Sequence, residues 1–497
     1  MAKKIVIVGG GTSGWMAALL IQKQLGDQVA VQLIESTALP TIGVGEGSTP
    51  ALKAFFDMVD IAETAWMPSC SATYKLGIFF DGWSDSPGFE SYFHAFYTHF
   101  DRDYVKGLIH NSILRRNGLD VHAHPNAFCY AHTLAKMRLS PVTPPNFPFQ
   151  VNYGYHFDAG LLGNFLKKTA LARQVQYADA EIVEIKRAEN GDIVYLTDKA
   201  GHQYDGDMFI DCTGFARRLI AQPLMSYGDV LLNDRAVTVA TEKRDEPVPA
   251  TLSIAMNSGW AWDIPLQDRT GHGYVYSSRF CDSETAEKEL LAHIGSESVL
   301  SEPRHLRFET GRLYKHWIGN CVAIGLSQGF VEPLEAAGLA LTQMSILRFV
   351  EAYKSGGFGP LHAEAFNTQI NASFDATRDY ISMHYLLSRG RDTPYWQYSQ
   401  LNKDALSPPI KAVMAAWFGG EDIKDCLDRV EPTKAYSVNS WYYILCGMGI
   451  FPPQSELKSP QPQDIVRVNI SEFDTFFAAC ALNHEKQSVA LKHFSKI

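Results

Sequence analysis

The N-terminal residues constrain the fold most. Ile5-Val6-Ile7-Val8 is a short apolar, β-branched run that reads as a strand, and it opens directly onto Gly9-Gly10-Gly11-Thr12-Ser13-Gly14. The glycines at 9, 11 and 14 make G-x-G-x-x-G, and residues 15–25 then follow a helical period. Such glycines permit a tight turn and a close backbone approach to a pyrophosphate held at the positive end of the helix. A second apolar strand over residues 31–34 ends in Glu35, about 20 residues on, where a carboxylate can accept from a ribose hydroxyl. Strand, glycines, helix, strand and acid in this order predict an adenine dinucleotide site that includes Thr12 and Ser13.

Two later strands bear on which dinucleotide it is. Phe209-Ile210-Asp211-Cys212-Thr213-Gly214 and Cys321-Val322-Ala323-Ile324-Gly325 each run into a glycine. This is similar to flavoproteins of the hydroxylase type, whose FAD domain is interrupted by the rest of the chain. No second G-x-G-x-x-G opens a unit for NAD(P)H, so reduced flavin is expected from a separate reductase.

At 497 residues the chain is too long for one simple core, and two closely associated domains or one large insertion are expected. The net charge of −10 offers no basic stripe for nucleic acid, and no basic amphipathic segment points to a membrane. Met1-Ala2-Lys3-Lys4 leads straight into the first strand, which is unlike a signal peptide and predicts a cytoplasmic location. The eight cysteines are scattered without zinc or dithiol spacing and are expected to be reduced and mostly buried.

The most unusual segment is Gly259-Trp260-Ala261-Trp262-Asp263-Ile264-Pro265. In an extended chain Trp260 and Trp262 share a face and would form one flat aromatic wall, ended by Pro265. Spacing alone leaves two readings open, a pair of core tryptophans or the wall of an active site.

Taken together, the 9–14 loop, Thr41-Ile42-Gly43-Val44-Gly45-Glu46, the 259–265 box and Gly329-Phe330-Val331-Glu332-Pro333-Leu334-Glu335 resemble the flavin-dependent tryptophan halogenase family over nearly the whole chain. The resemblance implies an α/β fold: a FAD-binding, Rossmann-like domain of the flavin monooxygenase type with a mainly helical substrate-binding part. It implies a reaction in which FADH2 and oxygen oxidise chloride or bromide to hypohalous acid, which then halogenates an electron-rich aromatic at a separate site. Cofactor contacts would come from Gly9, Gly11, Thr12, Ser13, Gly14, Glu35, Val44, Gly45, Glu46, Gly325 and Leu334. Trp260 and Trp262 would separate flavin from substrate.

The family's catalytic lysine follows a Trp-Met-Pro segment. Here Trp66-Met67-Pro68 leads to Tyr74-Lys75, which makes Lys75 the matching residue. Its amine would hydrogen-bond hypohalous acid or become a haloamine, a task suited to a desolvated lysine because burial lowers the pKa. The glutamate of Glu-Pro-Leu-Glu maps to Glu335, which would stabilise the cationic intermediate and accept its proton, while Glu332 is the more structural of the two. Ala337 and Gly338 match the halide site, where backbone amides at a helix start cradle an anion. The family commonly has Ser-Thr before this glycine, and Ala336-Ala337 here removes the hydroxyls but keeps the amides.

On the substrate side, the resemblance maps His94 and Phe96 onto a pair that sandwiches the indole. The stretch 432–443 is shorter than the family's amino-acid clamp and lacks most of its acids, so the expected substrate is indole-like and not free tryptophan. Tyr436, Trp441 and Tyr442 could form one pocket wall or belong to the core. The expected division is a FAD domain over 1–350, with substrate-site segments at about 65–155, and a helical part over 351–497; a homodimer is compatible with the sequence. Residues 141–148 read as a Pro-rich loop, 157–171 as a helix and 174–197 as strands turning at Asn190-Gly191-Asp192. Two rival functions are a flavin-dependent aromatic hydroxylase and a flavin-binding protein without halogenase activity.

Overall fold

The computed structural model describes residues 2–38, 45–295, 298–431, 433–460 and 470–494. The chain divides into two compact units, each assembled from three stretches: 1–72, 157–227 and 309–375 in the first, and 73–156, 228–308 and 376–497 in the second.

The first unit is built on a parallel sheet. Lys3–Val8 lies between Val29–Glu35 and Met208–Asp211, with Gln176–Asp179 beyond one side and Cys321–Ala323 beyond the other, all parallel. Trp317–Ile318 closes one edge antiparallel. A parallel sheet covered on both faces needs continuous apolar strands, and Ile5, Val6 and Ile7 are fully buried. The helix Thr12–Leu25 packs against Ala159–Ala172 and Gly338–Ser355, which is why Trp15 through Ile21 are buried all round it. The two late strands fall where the sequence predicts them. Asp211, at the end of one, accepts from the backbone N–H groups of Thr213, Leu219 and Ile220 and from the hydroxyls of Thr213 and Ser327. Five donors on one buried carboxylate fix both glycine turns. The helix expected from residue 157 starts later: Phe157 and Asp158 end the strand Gly154–Asp158, and Asp158 caps the helix by accepting from Leu161 N at 2.7 Å.

The second unit holds a seven-stranded sheet. In order across it lie Arg304–Arg307, Arg235–Glu242, Arg269–Tyr276, Gly259–Pro265, Thr251–Met256, Gly77–Asp81 and Ser91–Ala95. The box strand is therefore internal, antiparallel to both neighbours, and all seven of its residues are buried. The short strand Thr73–Lys75 pairs antiparallel with Gly154–Asp158. Helices dominate after residue 390: Pro394–Leu401, Pro408–Phe418, Ile423–Val430, Val438–Gly447, Ile470–Ala481 and Gln487–Lys492. All eight cysteines are free, and all but Cys212 are buried. Among the described residues no helix is long and apolar enough to cross a membrane.

Candidate active site

The first unit gathers the residues expected to bind the dinucleotide. Gly9 has φ +114°, and a Cβ there would stand 2.1 Å from the Cys212 carbonyl oxygen; one on Gly14 would stand 1.9 Å from Gly9 O. These two glycines are required by the protein's own backbone. Gly11 differs, because a Cβ there would meet nothing within 4 Å. It is also the N-cap of the Thr12–Leu25 helix, with no side-chain cap, so the first-turn N–H groups and an open face coincide, as a pyrophosphate requires. Gly325 (φ +71°) lies against the same loop, where a Cβ would approach Ser13 Oγ to 2.3 Å. Thr12 Oγ1 reaches Ala159 O at 3.5 Å.

Glu35 stands at the end of its strand as expected, with partners that the sequence does not announce. Lys167 Nζ and Tyr177 Oη both donate to its Oε1, the tyrosine at 3.1 Å. Its other oxygen occupies the space that a Cβ on Gly10 would need. Gly45 and Glu46 lie in the strand Gly45–Gly47, and Val44 lies outside the described residues. Burial, with the Asp158 carboxylate second, pushes the Glu46 carboxyl up to about 7.

The Glu-Pro-Leu-Glu segment folds as a tight turn, Pro333–Glu335, leading into the helix Gly338–Ser355. Leu334, Glu332 and Glu335 are all buried. Ala336 has φ +54°, a left-handed conformation that a non-glycine residue holds only when its surroundings impose it. This bend presents the amides of Ala337 and Gly338 at the start of an 18-residue helix, and a Cβ on Gly338 would meet nothing within 4 Å. Backbone amides at such a helix start are of the kind that can cradle an anion.

In the second unit Lys75 is 1% exposed. Its Nζ lies 5.7 Å from the centre of the Phe96 ring, which faces it as a cation–π partner. Phe96 follows the strand Ser91–Ala95, and His94, two residues earlier, packs on Tyr380 and Tyr443 at 6.1 and 5.8 Å. Tyr380 also stacks on Tyr436 (3.7 Å, 11°) and meets Trp441 edge-on (5.1 Å, 88°). Tyr442 does not share this wall. It points to the other side of its helix, where its hydroxyl donates to Asp422 and its ring meets Trp417. Successive helical residues diverge by about 100°, so Tyr443, on a different side of the helix, is the one that meets His94. Tyr380, which the sequence reading missed, is central to the group.

The box tryptophans are neighbours, with ring centres 5.8 Å apart, but their planes cross at 50°, so they do not make a flat wall. The cause is across the sheet. Trp262 pairs with Gly273 on the next strand, and its ring fills the space a Cβ there would take, 2.1 Å from Cζ2. A glycine opposite lets the indole lean over the strand.

A family model described as tryptophan halogenase matches residues 4–461. The tryptophan 6-halogenase SttH of Streptomyces toxytricini is 35% identical over 82% of this chain and 83% of its own length. The tryptophan 7-halogenase RebH of Lentzea aerocolonigenes is 33% identical over 90% of each. Among solved structures, BrvH, a flavin-dependent halogenase from Brevundimonas sp. BAL3, superposes with a TM-score of 0.82 at 27% identity, covering 99% of both chains. With the dinucleotide loop, the tryptophan box and the buried lysine in place, the chain belongs to the tryptophan halogenase family and is a flavin-dependent halogenase.

Proposed function

We propose that this enzyme halogenates an indole-like, electron-rich aromatic other than free tryptophan, with Lys75 delivering the halogen and Glu335 accepting the proton. The observation that carries the reading is Lys75 itself, almost wholly buried and set against an aromatic ring. The loop around Gly11, the N-terminal turn of Thr12–Leu25, Glu35 and the Gly325 turn would hold FAD, which in its reduced form would activate oxygen as the oxidant that converts halide to hypohalous acid. A separate flavin reductase supplies the reduced form. The amides of Ala337 and Gly338 hold the chloride or bromide.

Lys75 Nζ orients the hypohalous acid or takes the halogen as a haloamine, so that the electrophile meets one ring position. The aromatic carbon gains halogen and loses its proton to Glu335, while the hydroxide of hypohalous acid takes a proton from the Lys75 nitrogen and leaves as water; the proton given up by the ring replaces the one that Lys75 has lost. The group around His94, Phe96, Tyr380, Tyr436 and Trp441 supplies flat surfaces for the ring. Residues 432–443 hold a single charged side chain, Lys434, which gives no paired clamp for an ammonium and a carboxylate. Trp260 and Trp262 keep organic substrate from the flavin.

The test is an assay with FAD, a flavin reductase, NADH, indole and either halide. Halogenated indole is the expected product; hydroxylated indole would favour an aromatic hydroxylase, and peroxide alone a flavin-binding protein. The cofactor assignment has its own check. Gly11→Ala is expected to leave the unfolding midpoint of the flavin-free protein unchanged, since no atom opposes the new methyl, while FAD affinity falls about tenfold through lost close approach. Equal affinity by fluorescence titration would remove the pyrophosphate from this loop.

A further inference from the structure

The strand that carries Lys75 is tied to the tryptophan box by a buried chain of hydrogen bonds. Side chains two apart on a strand share a face, so Thr73 lies on the same side as Lys75. The antiparallel register sets His156 opposite Thr73, and Gly154, which has no side chain, opposite Lys75. Thr73 and His156 are both fully buried.

The proton order in this chain can be deduced. Thr73 Oγ1 donates to the Pro265 carbonyl at 2.7 Å, so its only proton is committed there. His156 Nδ1, 3.3 Å from the same oxygen, must therefore carry a proton and donate it. His156 Nε2 lies 2.8 Å from Thr251 Oγ1, and in a neutral ring it accepts that hydroxyl's proton. The ring is neutral because burial first, and the Lys75 charge second, hold its pKa well below the ordinary histidine range. Every proton in Thr251→His156→Thr73→Pro265 thus has an acceptor. One end of the chain lies in the box, where Pro265 closes the strand Gly259–Pro265, and the other lies beside it, where Thr251 opens the strand paired with the box.

We propose that His156 is a positioning residue for halogen transfer: through Thr73 it fixes the Lys75 strand at a set place against the Trp260–Trp262 strand, and as a neutral ring it brings no second charge to the lysine. This rests on the reading of Lys75 as the group that delivers the halogen. A displacement of about 1 Å in a reacting group can cost about two orders of magnitude in rate, so a loosened strand lets oxidant escape before it reacts.

The experiment compares Thr73→Val, which keeps shape and volume but ends the chain, with Thr73→Ser, which keeps the hydroxyl. The readouts are FADH2 reoxidation rate, halogenated indole per FADH2, free hypohalite caught by a β-diketone scavenger, KM for indole and the unfolding midpoint. Thr73→Val is expected to keep its reoxidation rate and KM, to lose about tenfold in halogenated indole per FADH2, and to release correspondingly more hypohalite. Thr73→Ser should restore wild-type coupling. His156→Gln should uncouple in the same way per folded molecule. Wild-type coupling in Thr73→Val, or a loss that merely tracks the unfolded fraction, overturns the proposal. A coupled Thr73→Val beside an inactive Lys75→Ala overturns this inference alone, whereas a Lys75→Ala enzyme that still halogenates overturns the reading beneath it.

Discussion

Lys75→Ala is expected to lower halogenated product by about 100- to 10,000-fold, the range typical for removing a positioned group that acts on the reacting atoms, while FADH2 reoxidation continues at the wild-type rate. The fold has little reason to follow the activity down. The backbone flanking Lys75 is held by other groups: Tyr74 N donates to Gln487 Oε1 at 3.0 Å and Leu76 N to Pro249 O at 2.7 Å. The lysine side chain takes no part in either bond. Lys75→Met, which keeps length and apolar contact with Phe96, separates the loss of the amine from the loss of volume and should be as inactive as alanine. Lys75→Arg should fail too, because a guanidinium stays protonated and its planar fork does not fit a site shaped for a single amine. Product analysis together with oxygen consumption checks all three. Halogenation retained in Lys75→Ala would remove the assigned role, whatever the flavin does.

What the sequence revealed and what it hid follow from the range of each interaction. The Gly9, Gly11 and Gly14 pattern is local, so strand, turn and helix could be read directly, and the open face at Gly11 is the structural counterpart of that pattern. The box strand was equally legible, including its end at Pro265. The tilt of Trp262 was not, since it depends on Gly273 across the sheet, a pairing that no periodicity within the box encodes. Whether Tyr442 lines a wall or packs in the core could not be read from residues 436–443 without their helical phase; the helix Val438–Gly447 turns Tyr443 toward His94 and Tyr442 toward Trp417. Lys167 on Glu35, Tyr380 among the aromatics and His156 beside Thr73 were hidden for the same reason. Each comes from a distant stretch of chain, and an isolated Lys, Tyr or His has no local signature. One signal was available for His156: the alternation of Thr73 and Lys75 marks a polar strand face that needs a polar partner when buried.

Asp263→Asn is expected to destabilise the second unit by about 3 kcal/mol, the lower end of the range for removing one partner from a buried ion cluster. Asp263 lies on the face of the box strand opposite Trp260 and Trp262. Its Oδ1 accepts from His272 Nδ1 at 2.7 Å and lies 3.4 Å from His293 Nε2, and its Oδ2 accepts from Arg244 at 3.0 Å. It is 4% exposed, and His272, its cross-strand pair, is 2% exposed and continues to Thr241 through Nε2 at 2.9 Å. Although burial opposes ionisation, the hydrogen bonds from His272 and His293 and the charges of His272 and Arg244 outweigh it, holding the carboxyl far below the ordinary aspartate range. A depressed folded pKa contributes stability that is fully present above the unfolded value, about 3.9, and is lost as pH falls from there through the folded value. Wild type should therefore lose stability on acidification below about pH 4, and Asp263→Asn, already without the charge, should show a shallower decline over the same window. Denaturant unfolding at pH 7 and at pH 3.5 measures both effects, and equal midpoints at pH 7 would show that the cluster does not hold the strand. Because residues alternate across the sheet, loosening Asp263 also frees the face that carries Trp260 and Trp262. The folded fraction of Asp263→Asn should then form less halogenated indole per FADH2 than wild type, linking the ion cluster on one face of the box to the chemistry assigned to the other.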